Sequence, residues 1–326
     1  MPQTILLDTD IGTDVDDALT IVLAARSPEI SLASVTTASG RTEVRARIAR
    51  RLLDLAGCPG VPVTAGLGKP LAGDRFDVMF PDGIWMGHEG TGLLSDEEIE
   101  DASSATVDGE AAVASIVRSV TEAAVPVTVV TIGPVTNVAA ALRHRPEIAA
   151  RIGSIVVMGA RVGPDAVPGG KDLHPIAEFN LNADREAAWT VLNSGVPLVV
   201  VPIELTSQTF LTDADVASLR GGDDAAKALA DLLAVWAPMF RRLQEAMGGS
   251  PEELATQTCH LHDPLTLLAV IRPDLLGFED VRLTLDVEDS MLLTRVDPAG
   301  DIPVRLATSM DWPGVQKVLL ERFKGG

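Results

Sequence analysis

Short apolar runs separated by stretches of helical periodicity constrain this chain more than any other feature. TILLD (4–8), SLASVTT (31–37), VPVTA (61–65), VPVTVVTI (125–132), SIVVMG (154–159) and VPLVVVPI (196–203) read as strands. Segments 16–27, 40–57, 109–123, 134–145 and 184–194 read as the helices between them. In 40–57, Val44, Ile48, Leu52 and Leu55 form one face, Arg45, Arg47, Arg50 and Arg51 form the other, and Gly57 is the stop. Pro134 suits the first position of the 134–145 helix. Strands that are apolar throughout must be covered on both faces. The pattern therefore predicts an α/β chain with a Rossmann-like core: a mostly parallel open sheet flanked by helices. The tail differs, because VRLTLDV (281–287) and IPVRLAT (302–308) alternate more and predict an antiparallel pair at an edge. No Pro/Ser-rich linker, internal repeat or low-complexity stretch interrupts the chain, so 1–326 reads as a single domain. Long loops are predicted at 66–107, 159–178 and 245–262, and loops of such length are commonly functional.

Charge narrows the partners. The formal net charge is -20, with 46 Asp+Glu against 26 Lys+Arg, which disfavours nucleic-acid backbones and acidic lipid surfaces. There is no tyrosine and there are only four tryptophans, so stacking platforms for single strands are scarce. Cys58 and Cys259 are too far apart in sequence for a paired-cysteine zinc motif and too few for a disulfide scaffold, and they read as reduced thiols of a cytoplasmic protein. The start of the chain lacks a basic signal-peptide region, and no apolar run is long enough to span a bilayer.

The first strand runs straight into Asp8, Asp10, Asp14, Asp16 and Asp17. Ligands of open α/β sheets bind beyond the carboxyl ends of strands. Helix capping accounts for Asp16 and Asp17, since the dipole at a helix N-terminus favours acids. It does not account for five acids. Crowded carboxylates raise one another's pKa unless a cation compensates. Oxygen ligands with no His or Cys beside them favour a hard ion, Ca²⁺ or Mg²⁺. Haloacid-dehalogenase-like phosphatases also open with Asp-x-Asp after a first strand, but they need a lysine and a late acidic motif at a strand end. Here Lys171 lies in a Gly/Pro-rich loop, and Asp223-Asp224 follows Gly221-Gly222.

Further segments complete a pattern: VTTASG (35–40), HEGTGL (88–93), IGPVTNVAAAL (132–142), VVMGA (156–160), PIAEFN (175–180) followed by Asp184, and HDPLTLLAV (262–270). Together with the opening DTDIGTDVDD, their order and spacing resemble the nucleoside hydrolase family, the inosine–uridine-preferring nucleoside N-ribohydrolases. The opening motif here is two residues longer than the family's Asp-x-Asp-x-Gly-x-Asp-Asp; aligned from the right, Asp16 and Asp17 match the Asp-Asp pair, and the extension leaves the role of Asp14 open.

The resemblance implies a Ca²⁺ site formed by Asp10, Asp17, Asp263 and the backbone carbonyl of Ile132. By their residues alone, Asp263 reads as a helix cap and Ile132-Gly133 as a tight turn. It implies Asp10 as general base on the attacking water, and Asp16, Glu178 and Asn180, with Phe179 between them, on the ribose hydroxyls. Met158 would pack beside the sugar. His262, or His88 from a glycine-rich loop (four glycines in 83–92, with Trp85 as an accessory), would protonate the leaving base. Direct water attack would release ribose and free base from a ribonucleoside. Two positions depart from the family. Arg41 and Asp172 stand where it often carries asparagines that contact the substrate, and an Arg41–Asp172 ion pair is one way to replace them. These departures motivate two rivals: a non-catalytic Ca²⁺-dependent nucleoside or sugar binder, and a hydrolase of a modified N-riboside. Retention of Asp10 and His262 argues against the binder, which needs neither base nor acid. The family resemblance further implies a homodimer or homotetramer. Base preference is not legible, because flat heterocycles are weakly discriminated by apolar pockets.

Overall fold

The apolar runs assemble into a nine-stranded sheet with helices on both faces. The structure, a computed structural model, describes residues 2–73, 88–173 and 178–325. Trp85, Gly83 and Gly87 of the glycine-rich loop, and Pro175, Ile176 and Ala177 before Glu178, lie outside the described residues. The strands are β1 (Gln3–Thr9), β2 (Ile30–Thr37), β3 (Val63–Ala65), β4 (Val127–Thr131), β5 (Ile152–Met158), β6 (Leu198–Val201), β7 (Phe210–Thr212), β8 (Gln257–His260), β9 (Leu276–Glu288), β10 (Met291–Val296) and β11 (Ile302–Met310). The principal helices are α1 (Asp16–Ala25), α2 (Thr42–Leu55), α3 (Asp96–Ser104), α4 (Glu110–Glu122), α5 (Thr136–His144), α6 (Arg185–Leu192), α7 (Asp213–Leu219), α8 (Asp224–Ala246), α9 (His262–Ile271) and α10 (Trp312–Lys324).

The sheet order is β10-β9-β11-β6-β5-β4-β1-β2-β3. From β11 to β3 every neighbouring pair is parallel, as expected of strands buried on both faces. Every residue of β4 is buried, and it is built entirely from Val and Thr, which fit a pleated, packed surface. The tail pairs antiparallel, β9 against both β11 and β10, while β11 itself joins β6 in parallel. Asp8 pairs with Thr131 of β4 and with Thr36 of β2, which places the acidic loop at the carboxyl ends of the central strands.

Several local expectations change. The stretch 66–107 contains α3, and 245–262 contains β8, which pairs antiparallel with β7 in a second small sheet. Residues 206–246, for which the sequence suggested no elements, hold β7, α7 and the 23-residue α8. Along α8, Ala226, Leu229, Ala230, Leu233, Trp236, Ala237 and Phe240 are buried at helical spacing. Its Asp223 cap accepts the Ala226 N–H at 3.0 Å, so Asp223-Asp224 begins a helix. Val135 caps α5, leaving Pro134 two residues before the first helical position, Thr136, instead of at it. Arg45, expected on the polar face of α2, is only 1% exposed. Among the described residues no helix is long and apolar enough to cross a membrane.

Candidate active site

Three elements bring the acids together. β1 delivers Asp8 and Asp10, the N-terminus of α1 presents Asp16 and Asp17, and the N-terminus of α9 presents Asp263. All five are buried. One carboxylate oxygen each from Asp16, Asp17 and Asp263 lie within 4.8 Å of one another. The Asp263 N–H donates to Asp16 Oδ2 at 3.1 Å, which ties α9 to α1. Thr9 Oγ1 donates to Asp17 Oδ1 and accepts the Ile11 N–H, fixing the exit of β1. Asp10 lies outside that trio, yet its charge helps raise Asp17 and Asp263.

Burial dominates the electrostatics. It pushes Asp10 up to about 6 and Asp16 up to about 7. Asp17 and Asp263 rise well above the ordinary carboxylate range, first through burial and then through neighbouring aspartates. Such a group must hold protons or take up a cation. Burial also lifts Asp8 to about 7, against hydrogen bonds from Asn137 and Thr36. Three buried carboxylates at this spacing, all hard oxygen donors, suit a metal ion.

The buried counter-charge is Arg45. Its guanidinium donates to the Asp10 and Ile11 carbonyls, to the Ser39 carbonyl at 2.7 Å and to Thr13 Oγ1 at 2.7 Å. It therefore shapes the acidic loop from below while its charge lowers Asp10. Asn137 does similar work on the next strands. It donates to Asp8 Oδ1 at 2.9 Å and to the Thr37 carbonyl at 3.0 Å, and it accepts the Leu67 N–H. Gly133 is required by close approach: a Cβ there would lie 2.7 Å from both the Asp10 amide nitrogen and its Oδ1. Ser39 and Ala160, two non-glycine residues with positive φ, stand near the carboxyl ends of β2 and β5, beside the site.

The remaining sequence-predicted residues divide into those at the centre and those away from it. Asn180 Nδ2 reaches the Ile132 carbonyl at 3.2 Å, the Met158 carbonyl at 3.2 Å and Met158 Sδ at 3.3 Å, so Ile132, Met158 and Asn180 meet. Glu178 is buried beside them, and burial raises its carboxyl despite hydrogen bonds from Leu181 and Asn182. Phe179 is the N-cap of the short helix Asn180–Ala183. His262 Nδ1 lies 2.7 Å from Thr206 Oγ1, and its ring is 5.2 Å from that of His260. Burial and then His260 hold His262 well below its usual pKa, so its neutral form dominates near pH 7. His88 Nε2 lies 2.8 Å from the Thr13 carbonyl, with its ring stacked on Trp236.

Arg41 and Asp172 do not pair. Arg41 binds Glu89 and reaches Ser103 Oγ, whereas Asp172 is an exposed carboxylate bound to Arg161 at 2.8 Å. The turn carrying His88 supplies Glu89 to Arg41, and the 160–172 loop supplies Arg161 to Asp172. Sequence reasoning missed Arg45, Glu89, Asn137, Asn182 and Thr206. The TNV of IGPVTNV contains Asn137, but nothing in the spacing marks its contact with Asp8.

The family model for inosine-uridine preferring nucleoside hydrolases matches residues 5–317. The chain belongs to this family. A pyrimidine-specific ribonucleoside hydrolase, RihA, of Enterobacter sp. (strain 638) is 33% identical over 99% of this chain and 98% of its own. A purine-preferring ribonucleoside hydrolase from Gardnerella vaginalis has a solved structure with a TM-score of 0.79 and 29% identity, covering 99% of this chain and 98% of that one. A plant nucleoside hydrolase superposes with a TM-score of 0.75 at 26% identity over the whole of both chains. This nucleoside hydrolase therefore acts on the N-glycosidic bond of ribonucleosides, and its sheet and flanking helices are those of its relatives.

Proposed function

We propose that this nucleoside hydrolase is Ca²⁺-dependent and releases ribose from nucleosides by direct attack of water. The observation that carries the reading is the buried trio of Asp16, Asp17 and Asp263, set beside Asp10 at the end of β1. Asp10, Asp17, Asp263 and the Ile132 carbonyl would hold the ion. A bound divalent cation supplies positive charge that lowers the pKa of water and gathers ribose hydroxyl oxygens.

Asp10 takes the proton from the attacking water; its carboxyl, raised to about 6, is ionised at neutral pH yet more basic than an ordinary aspartate. Asp16, Glu178 and Asn180 hold the ribose hydroxyls, and Met158 packs beside the sugar. Binding energy from these groups positions the anomeric carbon and stabilises developing positive charge on the ribosyl ring. His262 meets the departing base. The Thr206 hydroxyl at Nδ1 fixes the ring, leaving Nε2 to face the base. His88, docked on the acidic loop, is the second candidate donor. We assign the chain to the cytoplasm and to a homodimer or homotetramer, in keeping with its family.

The test is ribose release from a panel of purine and pyrimidine ribonucleosides, with Ca²⁺ and after chelator treatment. Both base classes are included because relatives of each preference match the chain. Metal-dependent release abolished by Asp10→Ala supports the mechanism; release indifferent to chelator and to Asp10→Ala overturns it. Binding without release would favour the non-catalytic reading, and release from 5′-modified ribosides alone would favour the modified-riboside reading.

A further inference from the structure

Glu178 is held on both of its carboxylate oxygens. Oε1 accepts the Leu181 N–H at 3.0 Å, and Oε2 accepts the Asn182 N–H at 3.2 Å and Asn182 Nδ2 at 2.9 Å. The Asn182 side chain is itself clamped. Its Nδ2 donates to the Leu292 carbonyl at 3.2 Å, and its Oδ1 accepts the Leu292 N–H at 2.7 Å. This is the pairing one strand offers another, made here by a primary amide.

Leu292 lies on β10, the terminal strand of the sheet. The side facing away from β9 carries unpaired backbone groups unless something else meets them. Asn182 meets them at Leu292. Two residues on, Thr294 Oγ1 accepts the Arg161 N–H at 2.8 Å and donates to the Arg161 carbonyl at 3.0 Å. β10 thus grips the chain on either side of the segment that carries Asp172 and Glu178. Asn182 is 0% exposed and contributes four hydrogen bonds through its side chain and amide. An isosteric leucine would fill the same space and leave Leu292 and Glu178 short of partners.

We propose that Asn182 is a positioning residue for sugar recognition: it sets the orientation of the Glu178 carboxylate by anchoring it to the edge strand β10. The proposal rests on the reading that Glu178 contacts the ribose hydroxyls. It makes Asn182 a determinant of discrimination between ribonucleosides and their deoxy analogues, although Asn182 touches no substrate.

The experiment measures kcat/KM for one ribonucleoside and its 2′-, 3′- and 5′-deoxy analogues in four proteins: parent, Glu178→Gln, Asn182→Ser and the double variant. A purely structural defect lowers every substrate by the same factor. A positioning defect lowers the fully hydroxylated substrate most. The expected result is a fall of about 10-fold in discrimination for Asn182→Ser, matched by Glu178→Gln, with no further fall in the double variant. Discrimination lost in Glu178→Gln but retained in Asn182→Ser overturns the proposal alone. Discrimination retained in Glu178→Gln overturns the reading of Glu178, and the proposal with it. If Asn182→Ser does not fold, Asn182→Asp keeps an acceptor for the Leu292 N–H and takes its place. Failure of both to fold while Glu178→Gln folds normally makes Asn182 a folding residue and overturns its role in recognition.

Discussion

Arg41 and Glu89 form an ion pair that joins the start of α2 to the turn carrying His88. The Glu89 side chain is wholly buried, and a third of the Arg41 side chain is exposed. Burial raises the Glu89 carboxyl, but the hydrogen bond from Arg41 and the nearby charges of Arg45 and Arg41 outweigh it and hold it below the usual range. Glu89 also packs against Gly12, where an added Cβ would sit 3.3 Å from its own. The pair therefore docks the His88 turn on the acidic loop. Arg41→Ala should cost about 2 kcal/mol, less than for a fully buried pair because Arg41 is partly solvated. It should also lower kcat/KM by about 10-fold through displacement of His88. Thermal melts and steady-state kinetics check both, and kinetics equal to the parent would remove Arg41 from the site.

Arg45 supports the other side of the same loop. Replacing it with Met leaves the carbonyls of Asp10, Ile11 and Ser39 without their charged donor. The expected loss is about 3–5 kcal/mol, the range for breaking a buried charged network. Chemical denaturation measures it. Arg45→Lys should recover only part, because one ammonium cannot match a planar fork serving four acceptors.

The carboxylates make stability depend on pH in a defined direction. Burial raises Asp10 to about 6 and Asp16 to about 7, so the folded chain binds these protons more tightly than the unfolded chain. Their contribution is complete below about pH 4, the unfolded aspartate value, and is lost as pH climbs through 6 and 7. Chelator-treated protein should melt at lower temperature at pH 8 than at pH 5. Ca²⁺ should raise the melting temperature more at pH 8, where fewer protons compete for the carboxylates. An equal Ca²⁺ increment at both pH values would contradict the linkage.

Thr206 acts on the reaction through His262. Thr206→Val keeps the volume and removes the hydroxyl at Nδ1. The imidazole then loses its fixed tautomer and orientation, and kcat should fall about 10- to 100-fold while Ca²⁺ binding is kept. Calorimetric Ca²⁺ titration beside the kinetics separates the two; an unchanged kcat would assign the leaving-group role elsewhere.

The frame of the site was legible because its signals are local. An apolar run ending in Asp8 and Asp10 fixes a strand end, and His262-Asp263 before an apolar helix fixes a second point. The parallel order and the antiparallel tail follow from uniform against alternating burial. What failed depends on distant contacts. Helical spacing puts Arg45 among exposed arginines, and only the acidic loop folding over α2 buries it. Helix α8 does carry an apolar stripe from Ala226 to Phe240, so the helix was legible, but that it brings Trp236 to His88 and Phe240 to His260 depends on tertiary packing. An Arg41–Asp172 pair would be one way to replace the family's asparagines; instead Arg41 meets Glu89 through tertiary packing and Asp172 meets Arg161 within its own loop.

The clamp of Asn182 on Leu292 has a bearing on colloidal behaviour. The outward amide and carbonyl of Leu292 are already occupied, so a second chain seeking to continue the sheet at that point must first release Asn182. Releasing the Asn182 side chain also removes one of the hydrogen bonds that hold the Glu178 carboxylate. Resistance to strand-by-strand aggregation and fidelity for the sugar therefore depend on the same amide, and a variant that loosens one should loosen the other.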